Sequence, residues 1–293
     1  MTFQLQEGRV SETAANSKVW FLTGASRGFG LEIARKILAQ GDRVVATARR
    51  AKQIHTALPD AGDALLAIDL DVTDADQAAQ AVRSAVDAFG RIDVLVNNAG
   101  RGLLGAVEEA SDASVRAVYE VNVFGTLTMQ RAVLPIMRRQ RSGHIINISS
   151  VGGLLGSPGW GIYCSTKFAM EGFSEALAKE LRPLGIWVTI VEPGYFRTDF
   201  LDASSLGTEE NVIADYESTA GATRAHAADV NHAQPGDPIK AAAAIVDIAS
   251  AAEPPVHLLL GTDCVAAVEA KIEDLKADID AWRTLSTSTD HDQ

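Results

Sequence analysis

Short apolar or β-branched runs recur along the chain at 18 to 23 (KVWFLT), 43 to 47 (RVVAT), 64 to 69 (ALLAID), 92 to 96 (IDVLV), 143 to 149 (GHIINIS), 186 to 192 (GIWVTIV) and 256 to 260 (VHLLL). Most are apolar at successive positions, which predicts strands covered on both faces. Between them apolar residues return every three or four positions: Leu31, Ala34, Ile37 and Leu38; Ala78, Ala81, Val82, Ala85 and Phe89; then longer stretches across 112 to 140, 163 to 182 and 238 to 251. That is the helical period. Strand and helix alternate throughout, so the predicted class is α/β, a doubly wound parallel sheet of about seven strands with helices on both faces.

Two segments depart from the alternation. Residues 202 to 237 carry seven acidic residues against one arginine, with little apolar period, and read as a mobile insertion. A long loop in a compact domain is usually a lid or binding loop. The lid is expected over about 195 to 237. Near the C-terminus Val265, Val268, Ile272, Leu275, Ile279 and Trp282 fall at steps of three and four, one amphipathic helix. The organisation expected is a polar tail at 1 to 17, a single domain at 18 to 283 and a polar tail at 284 to 293.

Composition narrows the function classes. The 293 residues carry a net charge of −12 with scattered Lys and Arg, which offers no track for a phosphate backbone and argues against nucleic acid. No apolar run approaches the ~20 residues needed to span a bilayer, and the N-terminus lacks a charged-then-apolar signal pattern. A cytoplasmic protein with no membrane association is expected. Cys164 and Cys264 stand far apart with no CxxC, which fits a reducing compartment. The six histidines form no ligand pair at helical or loop spacing, so no metal is expected.

The first motif with chemistry follows the first strand: TGASRGFG, 23 to 30, opening into a helix. A glycine-rich turn there lets backbone approach a pyrophosphate, and the helix N-terminus favours negative charge. The plain alternative is a tight turn needing positive φ. About 20 residues on, where an NAD site would place a carboxylate on the ribose, the chain reads VVATARR. Ala48 takes that place and Arg49 and Arg50 follow, with Arg27 inside the glycine turn. A 2′-phosphate wants a planar cation, so NADP(H) is the cofactor expected; Arg50 is equally well a solvated helix start.

Downstream, DLDVTDAD at 69 to 76 lacks the glycine and glutamate of a calcium loop and reads as a strand end with Thr73 or Asp74 capping the next helix. NNAG, 97 to 100, ends the fourth strand. Asn122 keeps step with Val115, Val118, Thr126, Met129 and Val133 on an apolar stripe, and a buried carboxamide must find partners. It either ties down a bend in its own helix or holds a water leading to an active site. Ser150 ends the fifth strand, and thirteen residues on come Tyr163 and Lys167, four apart and so on one helix face.

Together TGASRGFG, NNAG, Asn122, Ser150, YCSTK and PGYFRT (193 to 198) resemble the short-chain dehydrogenase/reductase family, in its short single-domain branch with a Rossmann-type fold. The resemblance covers roughly 18 to 262, and the look of NNAGRGLLGAVEE and PGYFRTDF is similar to bacterial carbonyl reductases grouped with 17β-hydroxysteroid dehydrogenases. It implies that Gly24, Gly28 and Gly30 line the pyrophosphate; that Asp71 and Val72 approach the adenine; that Asn98, Ala99 and Gly100 border the cofactor; that Pro193, Gly194 and Thr198 flank the nicotinamide; and that Ser26, Arg27, Phe29, Arg49 and Phe196 also bind the cofactor. Asn122, Ser150, Tyr163 and Lys167 become the catalytic tetrad. Tyr163 and Lys167 also touch cofactor. Arg101, where such proteins often carry an aromatic or apolar residue, either meets an acidic substrate group or reaches solvent.

The implied reaction is hydride transfer between NADPH and a medium-sized, largely apolar ketone, aldehyde or secondary alcohol. Tyr163 is the general acid/base, expected to ionise more easily beside Lys167. Ser150 bonds the substrate oxygen, and Asn122 positions a water. Leu154, Leu155, Trp160, Tyr195 and Phe200 are the expected pocket wall; Cys164, Ser165 and Thr166 read as spacers. A non-catalytic NADP sensor would need a damaged tetrad, and a same-fold epimerase or dehydratase a longer substrate region. Relatives pair through helices corresponding to 112 to 140 and 163 to 182, so a homodimer or homotetramer is expected.

Overall fold

The computed structural model describes residues 17 to 291, so nearly all of the expected N-terminal tail lies outside the described residues. Nine strands and nine α-helices follow in order among the described residues: β1 Val19–Leu22, α1 Gly28–Ala39, β2 Arg43–Ala48, α2 Lys52–Ala57, β3 Leu65–Asp69, α3 Ala75–Phe89, β4 Val94–Asn97, β5 Gly102–Leu104, α4 Asp112–Tyr119, α5 Thr126–Gln140, β6 Gly143–Ile148, α6 Gly161–Leu181, β7 Ile186–Pro193, β8 Leu206–Thr208, α7 Ala222–Val230, α8 Pro238–Ile248, β9 His257–Leu260 and α9 Thr262–Thr287. Seven strands form one parallel sheet in the order β3-β2-β1-β4-β6-β7-β9. From β1 the chain winds outward to β3, then returns to β4 and winds the other way. The turns after β1 and β4 therefore part company at the sheet's carboxyl edge, where a doubly wound fold has its crevice.

Alternation along the strands divides the core into two layers. Trp20, Leu22, Val44, Ala46 and Ile146 meet Ile33 and Ile37 of α1 and Ile245 and Val246 of α8. Phe21, Val45, Leu95 and Ile145 point to the opposite face, against Ala78 and Val82 of α3 and Met129, Val133 and Met137 of α5. Side chains from both faces are buried, which is why these strands read as unbroken apolar runs. Asp74, not Thr73, caps α3, accepting from the N–H groups of Asp76 and Gln77.

Three expectations change. The helical stretch over 112 to 140 is one run, but Glu120–Gly125 between α4 and α5 is a π turn, with Asn122 inside it. The segment 202 to 237 is built rather than open: β8 pairs in parallel with β5, and α7 follows. Its anchor is Glu109, whose buried carboxylate accepts from the N–H of Ile213 at 2.9 Å and of Ala106 at 2.7 Å and pairs with Arg224 at 2.7 Å. Those donors hold the Glu109 carboxyl below the usual range, the Ile213 N–H foremost. Helix α9 continues to Thr287, through the first residues expected as tail. No helix of the described residues is long and apolar enough to cross a membrane.

Candidate active site

At the carboxyl edge of the sheet the turns after β1, β4, β6 and β7 enclose a cavity of about 740 Å³. Its floor is the glycine turn. Gly24 and Gly28 take φ of 68° and 53°, left-handed values that suit glycine. Thr23 and Asn98 knit this turn to the one after β4: Thr23 Oγ1 accepts from the N–H groups of Asn98 and Ala99 at 3.0 Å, and Asn98 Nδ2 donates to the carbonyls of Thr23 and Gly24 at 3.0 Å. A Cβ on Gly30 would overlap the Gly24 carbonyl, so its hydrogen lets α1 approach the turn. Backbone lies open where a Cβ would otherwise stand: one added at Gly28 would meet only the Thr198 side chain, at 3.5 Å.

The groups expected to react sit across the cavity. Ser150 leaves β6 in extended conformation and caps a short 3-10 turn, Val151–Gly153, its Oγ accepting from the Gly152 N–H at 3.0 Å. Tyr163 and Lys167 rise from the first two turns of α6, both nearly buried. Lys167 Nζ donates to the Ile148 carbonyl at 2.8 Å and stands 5.8 Å from the centre of the Tyr163 ring. Burial pulls the Lys167 pKa down to about 8, against the raising effect of Glu171 one turn along α6. Burial pushes the Tyr163 hydroxyl above its ordinary value, and its hydrogen bond with Ser150 offsets this only in part. Burial is the larger effect, with the ring packed against Trp160 (5.6 Å between centres) and Phe200 (5.5 Å), whereas the easier ionisation expected beside Lys167 also draws on the positive nicotinamide of the oxidised cofactor. A phenol held neutral is a proton donor.

The model of the family described as short chain dehydrogenase matches residues 18–208, which span this whole constellation. The chain is a short-chain dehydrogenase. It is 40% identical over 274 residues to the oxidoreductase BOA17 of Botryotinia fuckeliana, covering 93% of this chain and 99% of that one. It is 39% identical over 204 residues to human 17-beta-hydroxysteroid dehydrogenase type 1, covering 67% and 61%. Among solved structures, a short-chain dehydrogenase from Streptomyces avermitilis superposes with a TM-score of 0.88 at 41% identity, over 94% of this chain and 100% of that one. A short-chain dehydrogenase/reductase from Burkholderia phymatum in complex with NAD gives a TM-score of 0.80 at 27% identity, over 89% and 95%.

In this dehydrogenase Gly24, Ser26, Arg27, Gly28, Phe29, Arg49, Asp71, Val72, Asn98, Ala99, Gly100, Ser150, Tyr163, Lys167, Pro193, Gly194, Phe196 and Thr198 all line the cavity, as do Trp160, Tyr195 and Phe200. The fold fits a nicotinamide dinucleotide, with the open glycine turn at one end and Tyr163 and Lys167 at the other. Four expected residues lie elsewhere. Gly30 serves packing, as described. Asn122 sits behind the wall, fully buried, with Oδ1 accepting from the Arg101 N–H at 2.9 Å and Nδ2 donating to the Arg101 carbonyl at 2.9 Å and to Thr166 Oγ1 at 3.0 Å. Leu154, with Leu155, does not line the cavity, because the turn capped by Ser150 presents Val151 and Gly152 and carries the chain away. Thr166 is more than a spacer, since it joins Asn122 to α6. Arg101 borders the cavity with its guanidinium against Gly207 of the lid.

Three features carry no signal in the sequence. Lid residues Ser204 and Ser205 take the Arg27 guanidinium, at 2.7 Å for Ser205 Oγ, and Gln234 lines the cavity with a buried Oε1 that has no protein partner. Behind Lys167, Glu171, Glu192 and His257 converge from α6, β7 and β9. Ser149 donates to Glu171, His257 Nδ1 lies 2.7 Å from Glu192 Oε1, and burial raises the carboxyls to about 7 and about 8. The packing of α6 beside the paired strands β7 and β9 brings them together.

Proposed function

We propose that this short-chain dehydrogenase is an NADP(H)-dependent carbonyl reductase and alcohol dehydrogenase for medium-sized, largely apolar ketones, aldehydes and secondary alcohols. The observation that carries the proposal is Tyr163: a buried phenol that lines the cavity together with Ser150 and is backed by Lys167. When bound, the reduced nicotinamide supplies the hydride. The Tyr163 hydroxyl gives its proton to the substrate oxygen, and the Ser150 hydroxyl bonds that oxygen as charge builds on it. Lys167, anchored on the Ile148 carbonyl, places a cation beside the tyrosinate left behind. Oxidation of an alcohol uses the same groups in reverse.

Substrate class is argued from the wall: Trp160, Tyr195, Phe200 and Leu201 surround the reactive phenol with apolar surface, and Gln234 Oε1 supplies an isolated acceptor. The NADP preference rests on Ala48 and Arg49 at the end of β2, where a neutral side chain and a cation border the cavity. The test follows NADPH absorbance across a panel of ketones and aldehydes with the native chain and with Tyr163→Phe. Turnover should fall by about 10²–10⁴-fold in the variant while NADPH binding stays intact. Near-native turnover by Tyr163→Phe would overturn the assignment of the acid.

A further inference from the structure

Helix α9 is anchored only at its start. Asp263 accepts from the Tyr195 N–H at 2.7 Å, and Cys264 is buried with Sγ 3.0 Å from the Glu192 carbonyl. From Glu269 onward every described residue of the helix is exposed. The stripe seen in the sequence is therefore in water: Ile272 is 57% exposed, Leu275 53%, Ile279 49% and Trp282 62%. Its steps of three and four, over Val265, Val268, Ile272, Leu275, Ile279 and Trp282, are the seam spacing of a two-helix coiled coil rather than the broader face that seats on a sheet. A helix that leaves its own domain with this seam uncovered lacks the tertiary packing from which most helical stability comes.

We infer that α9 is a self-association element, pairing antiparallel with α9 of a second copy of this chain about a two-fold axis between Glu273 and Asp274. The charges flanking the seam select the partner and its direction. In the antiparallel pair Glu269 faces Lys276 of the second copy and Lys271 faces Asp278, each contact made twice by symmetry. In a parallel pair Lys271 faces Lys276, a repulsion made twice that cancels the attraction of Asp278 for Arg283, whereas the antiparallel pair makes two kinds of attraction and no such repulsion. The seam agrees: antiparallel layers match Val265 with Trp282, Val268 with Ile279 and Ile272 with Leu275, so the bulkiest side chain meets a small one. The polar face argues against a lipid surface, because Asp263, Glu269, Glu273, Asp274, Asp278 and Asp280 outnumber Lys271, Lys276 and Arg283.

Sedimentation equilibrium of the full chain tests the inference. Leu275→Asp, and separately Ile272→Asp, should halve the native mass while NADPH binding is retained, since both residues stand far along a helix that leaves the cavity. Lys276→Glu should weaken association by about tenfold, and adding Glu269→Lys should restore it. Tighter association of Lys276→Glu would refute the antiparallel direction. An unchanged mass in both seam variants would refute self-association through this helix. So would a native mass that already equals that of the seam variants, with the native chain alone pelleting on phosphatidylcholine vesicles.

Discussion

Asn122 grips both polar groups of the Arg101 backbone: its Oδ1 takes the N–H and its Nδ2 gives to the carbonyl, each at 2.9 Å, across 21 residues of chain. A third bond, from Nδ2 to Thr166 Oγ1, ties this clasp to the helix bearing Tyr163 and Lys167. Asn122 lies within the π turn Glu120–Gly125, on the buried side of the helix. Asn122 thereby fixes the distance between the wall at Gly100 and the base of Lys167; a Cβ on Gly100 would lie 3.4 Å from Asn122 Oδ1 and 3.9 Å from Lys167 Nζ.

Asn122→Ala should therefore cost both stability and positioning. It leaves the part-buried N–H and carbonyl of Arg101 without their side-chain partner, each worth up to roughly 1–3 kcal/mol when left unpaired. The expected outcome is a loss of roughly 2–4 kcal/mol in denaturant unfolding, with a raised KM for NADPH. Asn122→Asp should be no better, because its second carboxylate oxygen faces the Arg101 carbonyl that Nδ2 served.

Cofactor choice should turn on the end of β2. Ala48 and Arg49 line the cavity, and Arg27, from the glycine turn, is held over the same crevice by Ser204 and Ser205. Ala48→Asp places a carboxylate where it repels a 2′-phosphate and accepts from a 2′-hydroxyl. The ratio of kcat/KM for NADPH over NADH should drop by at least about tenfold, and Arg49→Ala should lower it further by removing a charge-assisted partner. A ratio unmoved by both changes would remove these residues from cofactor choice.

The seven-strand sheet was legible in the sequence because strands buried on both faces leave unbroken apolar runs, and the glycine turn because Gly24 and Gly28 demand a backbone few other residues adopt. Tyr163 and Lys167 were legible through helical spacing. The π turn was not, since the apolar stripe passes through Asn122 without a break. Nor was the β5 and β8 pairing, whose two strands of three residues have no measurable period. Leu154 was misplaced because the turn capped by Ser150 presents Val151 and Gly152 to the cavity instead, and the meeting of Glu171, Glu192 and His257 depends on how α6 packs beside the paired strands β7 and β9.

Glu109 should prove the anchor of the lid. Its carboxylate joins the loop after β5 to Ile213 and Arg224, residues 104 and 115 positions away. Glu109→Ala leaves Arg224, whose Nη2 already lacks a partner, with no anion at that site. Limited proteolysis should then cut within 202 to 237 at least several-fold faster, and KM for the ketone should rise more than kcat falls, because the chemistry at Tyr163 is untouched. Glu109→Gln, which retains an acceptor for one backbone N–H, should fall between the two.

His144 should set the acid limit of stability. The ring lies in β6, 4% exposed, with Nε2 2.9 Å from Thr189 Oγ1. Burial, aided by the charge of Lys18, lowers its pKa to about 4 from an ordinary 6.5. Between those values the unfolded chain binds a proton that the folded chain does not, so stability must rise with pH there and be lost as pH falls from 6.5 through about 4. The shift corresponds to at most about 3 kcal/mol. His144→Gln keeps a polar partner for Thr189 but cannot titrate. The difference in unfolding free energy between native and variant, measured from pH 7 to pH 4, should move in favour of the variant as pH falls, and a difference independent of pH would mean that the imidazole is protonated as readily inside the fold as outside it.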